Sequence, residues 1–179
     1  MMKNLINQSV KSKNLFRAVA VVVTVSLFLL PVKLNGQGSK ANFSGTWAFN
    51  ETRSNLGDGP GFRGASKLVI TQDGNNLTVA RDRTNQNGET TTTTDKYTLD
   101  GKECVNTSGR GPSKSIVTWS ADGKSLNFAV TRTFERDGQT TEMKSSEVWT
   151  LTDASTLSLL NTMNFQGEER KTTFVYDKK

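Results

Sequence analysis

The 179-residue sequence contains no histidine, and this absence excludes several kinds of catalysis at once. Serine and cysteine hydrolases commonly use histidine as the general base, and most zinc sites use it as a ligand. An EF-hand calcium loop is also missing from the sequence. We therefore expect a non-enzymatic protein without metal or cofactor. A carboxylate pair for sugar hydrolysis stays open, because its separation in space cannot be read from the sequence.

Cysteine is nearly as scarce, since Cys104 is the only one, and so no intramolecular disulfide can form. Without a histidine to activate it, this thiol is a poor candidate nucleophile. We expect Cys104 to be a small buried apolar side chain.

The N-terminal part carries positive charge and no acid, with Lys3, Lys11, Lys13 and Arg17 as its first basic residues. An apolar run over 18–30 follows, Pro31 ends it, and small polar residues occupy 35–39. Basic start, apolar middle and small polar exit are the three parts of a secretory signal. The run has 13 residues, whereas a helix that crosses a membrane needs roughly 20.

We therefore predict that residues 1–38 are a signal peptide, cleaved near 35–39, and that 39–179 form one mature domain. The mature protein is expected in the periplasm or outside the cell, with no stable membrane span after the leader is removed. The alternative is that an uncleaved signal anchors the protein in the membrane.

The positive charge of the chain is concentrated in this leader. Of 23 basic residues, five precede residue 39, which leaves 18 basic and 17 acidic residues in the mature part. A protein that binds nucleic acid needs a basic stripe to neutralise phosphates, and none is present. A nucleic-acid partner is therefore not expected.

The mature part shows the pattern of consecutive β-hairpins. The pairs that are typical of tight turns are Asp73-Gly74, Asp100-Gly101, Asp122-Gly123, Asp137-Gly138, Asn87-Gly88 and Gln166-Gly167. Between these turns apolar residues alternate with polar ones, as in half-buried strands. The pattern predicts no helix and ten strands, at 45–51, 67–72, 76–84, 89–99, 102–107, 114–120, 124–135, 139–151, 156–164 and 169–176.

Sequential antiparallel strands leave two unpaired edges unless the sheet closes on itself. We therefore predict an all-β fold, an up-and-down antiparallel barrel of eight to ten strands, with a two-sheet β-sandwich as the alternative. The one long connection, Thr52 to Ser66, is rich in glycine.

Gly45-Thr46-Trp47 resembles the Gly-x-Trp motif that opens the first strand of lipocalin-like barrels. The wider chain is similar to exported bacterial lipocalin-like proteins at 68–74, 147–151 and 174–176. The resemblance implies that Trp47 plugs the closed end beside Gly45, with Arg170 packed on its ring. Two family features are missing, namely a helix after the last strand and a recognisable Thr-Asp-Tyr turn.

Arginine recurs on strand faces that are otherwise apolar. Counting by two gives Leu77, Val79, Arg81 and Arg83 on one strand, and Leu126, Phe128, Val130, Arg132 and Phe134 on another. If these faces line the barrel, a buried guanidinium needs a partner, and a ligand carboxylate would supply one. This predicts an amphipathic acid with its head at Arg132 and its tail against Phe128 and Trp149, with Arg81 as a further candidate ligand-binding residue. In the simpler alternative, the arginines reach solvent at the rim or pair with Glu135 or Glu147.

We therefore predict an exported, non-catalytic protein that binds a small apolar or amphipathic molecule. The alternative, from a different class, is a structural or protein-interaction module of the cell envelope whose barrel is filled by side chains.

Overall fold

The computed structural model describes residues 39–57, 64–107, 111–136, 138–165 and 167–179, without the side chains of Arg136 and Phe165. These residues belong to one compact unit, Asn35–Lys179. The predicted signal peptide, at 1–38, and the centre of the glycine-rich connection lie outside the described residues.

The described residues contain ten β-strands, and each coincides with one predicted from the sequence. They are β1 (Gly45–Asn55), β2 (Lys67–Asp73), β3 (Asn76–Thr84), β4 (Thr90–Thr98), β5 (Glu103–Asn106), β6 (Ser113–Trp119), β7 (Ser125–Arg136), β8 (Gln139–Asp153), β9 (Thr156–Phe165) and β10 (Glu168–Lys178). The largest difference is in β1, which runs four residues further than predicted. No helix of the described ranges is long and apolar enough to cross a membrane.

Nearly every strand pairs antiparallel with its neighbours in the chain, and β1 also pairs with β10. The order of strands in the sheet is β4-β3-β2-β1-β10-β9-β8-β7-β6-β5. The sheet is therefore a nearly closed up-and-down barrel, as predicted, and not a two-sheet sandwich. Its two ends are β4 and β5, which follow each other in the sequence.

The turn between β2 and β3 shows why the Asp-Gly pairs mark the hairpins. Gly74 has a φ of 55°, in the left-handed region that a side chain disfavours. The strands meet there as Asp73 opposite Asn76, which leaves only two residues for the turn. The short connection fixes the register, so the alternate residues of both strands face the same side.

One end of the barrel is closed by the segment that precedes β1, and we call this end the floor. The Gln72 side chain holds the segment, since its Oε1 accepts a hydrogen bond from the Phe43 backbone N at 3.0 Å. The Ala41 N donates to the Gly123 carbonyl at 2.9 Å, which ties the segment to the opposite wall. Phe43 is 0% exposed as a result, and its carbonyl accepts the Trp47 Nε1 hydrogen bond at 3.0 Å.

Trp47 lies in the floor, but the cation on its ring differs from the one that the resemblance implied. Lys178 Nζ lies 5.3 Å from the centre of the indole, because Trp47 and Lys178 are directly opposite in the β1–β10 pairing. Arg170 is exposed, eight residues earlier in β10, opposite Met163. The expected contact between Arg170 and Trp47 was therefore wrong. Gly45 leaves room for the lysine, since a Cβ there would lie 2.9 Å from Lys178 Cε.

Replacing Trp47 with alanine should destabilise the barrel severely. The side chain is 1% exposed, and loss of a buried aromatic ring costs about 3–5 kcal/mol. Urea unfolding followed by circular dichroism measures this loss. Val105→Ala is the control, because a side chain that is 61% exposed should change stability by no more than about 0.5 kcal/mol. A loss below about 1 kcal/mol for Trp47→Ala would show that the floor does not depend on this ring.

Candidate functional site

The inner face of the barrel is divided into two levels. The lower level, next to the floor, consists of apolar side chains with almost no exposure, including Leu77, Val117, Leu126 and Leu157. The upper level, towards the other end, contains polar and charged side chains, and most of its inward residues are only partly buried. The upper level is therefore more accessible to solvent than the apolar layer below it.

Aromatic rings form the boundary between the two levels. The ring centres of Phe128 and Trp149 are 4.6 Å apart, and those of Tyr97 and Phe128 are 5.3 Å apart at 84°. Phe128 is 1% exposed and Trp149 is 0% exposed. The two predicted tail contacts thus lie together, as parts of the packed core. A ligand could rest above them but could not insert between them without moving the core.

Arg81 lies directly above this aromatic boundary and is 9% exposed. Its Nη1 donates to Asp95 Oδ2 at 2.7 Å and to the Tyr97 hydroxyl at 3.5 Å. Its guanidinium carbon is 5.6 Å from the centre of the Trp149 ring. The simpler alternative had the arginines reach solvent at the rim or pair with Glu135 or Glu147. For Arg81 the exposure to solvent is wrong, and the carboxylate that pairs with it is that of Asp95. Arg81 thus pairs across the β3–β4 ladder with a carboxylate of the neighbouring strand.

The surroundings of Arg81 keep its charge in place. Burial lowers the pKa of the guanidinium, but nearby Tyr97, Glu147 and Asp95 outweigh this and raise the pKa above its ordinary value. Glu147 is itself held by a hydrogen bond, from Trp149 Nε1 to its Oε2 at 2.9 Å. The positive charge of Arg81 is thus balanced within the protein, and a further anion here would meet two carboxylates.

Arg132 differs from Arg81 in its hydrogen bonding. Its Nε is buried and has no hydrogen-bond partner within the described part of the chain. The residue lies in the upper level, opposite Ser113 on β6 and Met143 on β8. It is four residues along β7 from Phe128, or about 13 Å in an extended strand. The structure therefore places Arg81 beside the rings of Phe128 and Trp149, whereas Arg132 lies apart from this cluster in the upper level.

Sequence reasoning missed Asp95 as the partner of Arg81. Counting by two along β4 places Thr91, Thr93, Asp95 and Tyr97 on one face, the same alternation that singled out the arginines. The run of five threonines at 90–94 makes this strand look uniformly polar, which conceals the alternation. Predicting the Arg81–Asp95 pair also requires the β3–β4 register. In this register Val79 is opposite Asp95 and Arg81 is opposite Thr93, so Arg81 and Asp95 are diagonal neighbours.

Two hollows on the described surface are open to solvent, and neither contains a predicted ligand-binding residue. One, of about 330 Å³, is lined by Asn76, Leu77, Thr78, Lys96, Tyr97, Thr98 and Cys104. The other, of about 210 Å³, lies along β8, β9 and β10. Within the described ranges, no three cysteine, aspartate or glutamate side chains come together in a way that could hold a metal ion.

No family model matches the sequence, and no curated protein matches it. The structure is similar to a variant of the fluorescent protein UnaG, with a TM-score of 0.50 and 21% identity, covering 76% of this chain and 96% of that one. It is also similar to a zebrafish ileal bile acid-binding protein complexed with cholic acid, with a TM-score of 0.48 and 14% identity, covering 76% and 98%.

At 21% identity the likeness to UnaG shows the fold alone, which is a nearly closed antiparallel β-barrel. The lipocalin-like resemblance of the sequence is therefore supported at the level of architecture. Membership of an exported bacterial group stays a prediction.

The only two tyrosines should not ionise while the barrel is folded. Burial raises the pKa of both Tyr97 and Tyr176 above the usual value near 10. The folded state therefore favours the protonated phenols, and their contribution to stability is present below that value and lost as pH rises through the raised pKa values. Tyrosinate absorbance and far-ultraviolet circular dichroism should change together in an alkaline titration.

The matched variant for this titration is Tyr176→Phe, which should keep the barrel folded to higher pH. A tyrosine that titrates near its usual pKa while the circular dichroism is unchanged would contradict the burial that the structure shows.

Proposed function

We propose that this protein binds a small amphipathic molecule in the upper level of the barrel and performs no chemistry on it. The observation that carries the proposal is the buried Nε of Arg132, which has no partner among the described residues. A buried donor without a partner costs free energy, and an acidic group of a ligand would remove that cost. Arg81 is a weaker candidate for the head group, because Asp95 already holds it.

The surroundings of Arg132 suit a molecule with one polar end. Val130 and Phe134 flank it on the same face of β7, and Met143 lies directly opposite on β8. A guanidinium with apolar side chains beside it and Ser113 opposite it can bind an acidic head group while the attached chain contacts the apolar neighbours. The ligand would lie over Phe128 and Trp149, in contact with the upper side of the aromatic boundary.

A second function is favoured by the lower level. Its side chains are packed without exposure, as in a barrel that is filled and acts as a structural or protein-interaction module of the cell envelope. The two proposals make different predictions for the upper level. A ligand-binding protein holds its ligand there, whereas a filled module binds nothing there.

Calorimetric titration of the mature domain with palmitic acid, oleic acid and the corresponding alcohols tests the binding proposal. We expect the acids to bind more tightly than the alcohols. Arg132→Gln should weaken the acids by about 2 kcal/mol, or roughly thirtyfold, because it removes a buried charged contact.

Lys114→Gln is the matched control, since it removes the same charge from the outward residue next to Ser113 on β6, opposite Thr131. It should leave binding unchanged. If none of these compounds binds, the amphipathic-acid proposal fails and the filled module is preferred.

We also propose that the protein is exported to the periplasm or the outside of the cell. The support is the basic start, the 13-residue apolar run and the polar exit at 35–39. Expression of the full chain in a bacterial host should give a protein whose intact mass starts near residues 35–39. Recovery of the uncleaved chain from the membrane would instead indicate a signal anchor.

A further inference from the structure

In the described part of the chain, the ladder of backbone pairs is interrupted between β4 and β5, and we call this interruption the seam. These strands are the two ends of the sheet order, although only a short turn separates them in the sequence. The other neighbouring strands are joined by backbone pairs, for example ten consecutive pairs between β9 and β10. The seam must therefore be held by contacts other than a backbone ladder.

A side chain takes the place of the missing strand partner. Asn106 Oδ1 accepts a hydrogen bond from the Lys96 backbone N at 2.8 Å, and Asn106 Nδ2 donates to the Lys96 carbonyl at 3.0 Å. The carboxamide thus makes the same two bonds that an opposite strand residue would make with its peptide groups. Nearer the floor, the Thr98 backbone N donates to Cys104 Sγ at 3.2 Å.

This joint is weaker than a strand pair, because among the described residues a few side-chain hydrogen bonds cross it in place of a backbone ladder, and β5 has only four residues. Solvent already reaches its outer side, since the hollow of about 330 Å³ is lined by Lys96, Thr98 and Cys104. Segments with few hydrogen bonds and exposed surroundings open before the rest of a protein unfolds.

The seam also lies close to the proposed binding position. Asn106 is directly opposite Ser113, and Ser113 is directly opposite Arg132, so the three residues form one row across β5, β6 and β7. Strands are about 4.8 Å apart, which places the Asn106 and Arg132 backbones about 10 Å from each other. Opening at Asn106 therefore gives access to the upper level beside Arg132.

We propose that Asn106 is a latch, and that its release from Lys96 opens the seam as the route by which ligand enters and leaves the barrel. The latch itself is a property of the fold. Its role in ligand exchange rests on the proposed binding function. Access through the seam requires only the displacement of β5 from β4, whereas the core below the aromatic boundary stays packed.

The single natural cysteine allows the seam to be locked reversibly. Thr98 Oγ1 and Cys104 Sγ are 3.5 Å apart across it, so Thr98→Cys should form a disulfide with Cys104 under mild oxidation by oxidised glutathione. We expect oxidation to slow both the association and the dissociation of oleic acid by at least about tenfold, with little change in Kd. Reduction should restore both rates, because a blocked route alters rates without altering the bound state.

The control is the double variant Thr98→Cys with Cys104→Ser, which has one thiol and should be indifferent to oxidation. If the locked and reduced proteins exchange oleic acid at the same rates, the ligand uses the open upper end and the seam route is wrong.

Hydrogen exchange tests the latch without any ligand. Asn106→Leu should speed exchange of the Lys96 amide relative to wild type, while amides in the β8–β9 ladder keep their rates. Equal acceleration everywhere would mean that Asn106 supports the whole barrel, and no acceleration would mean that it is not a latch. If oleic acid does not bind but this local effect is found, the binding function fails and the latch stands.

Discussion

The pairing of β1 with β10 is the constraint on which the barrel depends. Ten antiparallel strands in sequence form an open sheet unless two distant strands meet, and here the first and last strands do so from Trp47–Lys178 towards Asn55–Thr173. Once they are joined, the discontinuity can lie anywhere else in the ring. It lies between β4 and β5, where one carboxamide replaces a pair of peptide groups.

Closure also creates an interior in which charge must be balanced. Arg81 is accommodated because Asp95 and Tyr97 project from the next strand and Trp149 offers the face of its ring. This cluster lies just above the apolar core and divides the interior into a packed level and a polar one. Arg132 lies in the polar level without an equivalent partner for its Nε in the described structure, and this contrast between two arginines is the basis of the proposed function.

Most of the fold could be predicted because its signals are local. Asp-Gly turns and a period of two depend only on neighbouring residues, and they gave all ten strands. Contacts that depend on register between strands could not be predicted in the same way. The assignment of Arg170 to the plug failed because only the β1–β10 register shows that Lys178 is opposite Trp47. The partner of Arg81 was missed because Asp95 lies diagonally across β3 and β4.

The β1–β10 closure has a consequence for the way in which the chain folds. Asn50 Nδ2 and Asp177 Oδ2 are 2.6 Å apart although 127 positions separate the residues in sequence. The hairpins from β2 to β9 can form from local contacts. The barrel closes only when β1 pairs with β10, which is the largest loop closure in the domain. A fold with such high contact order forms slowly. Until β10 has been synthesised, a nascent chain exposes the edges of β1 and β9 that β10 later covers. The barrel can therefore close only when β10 is present to pair with β1.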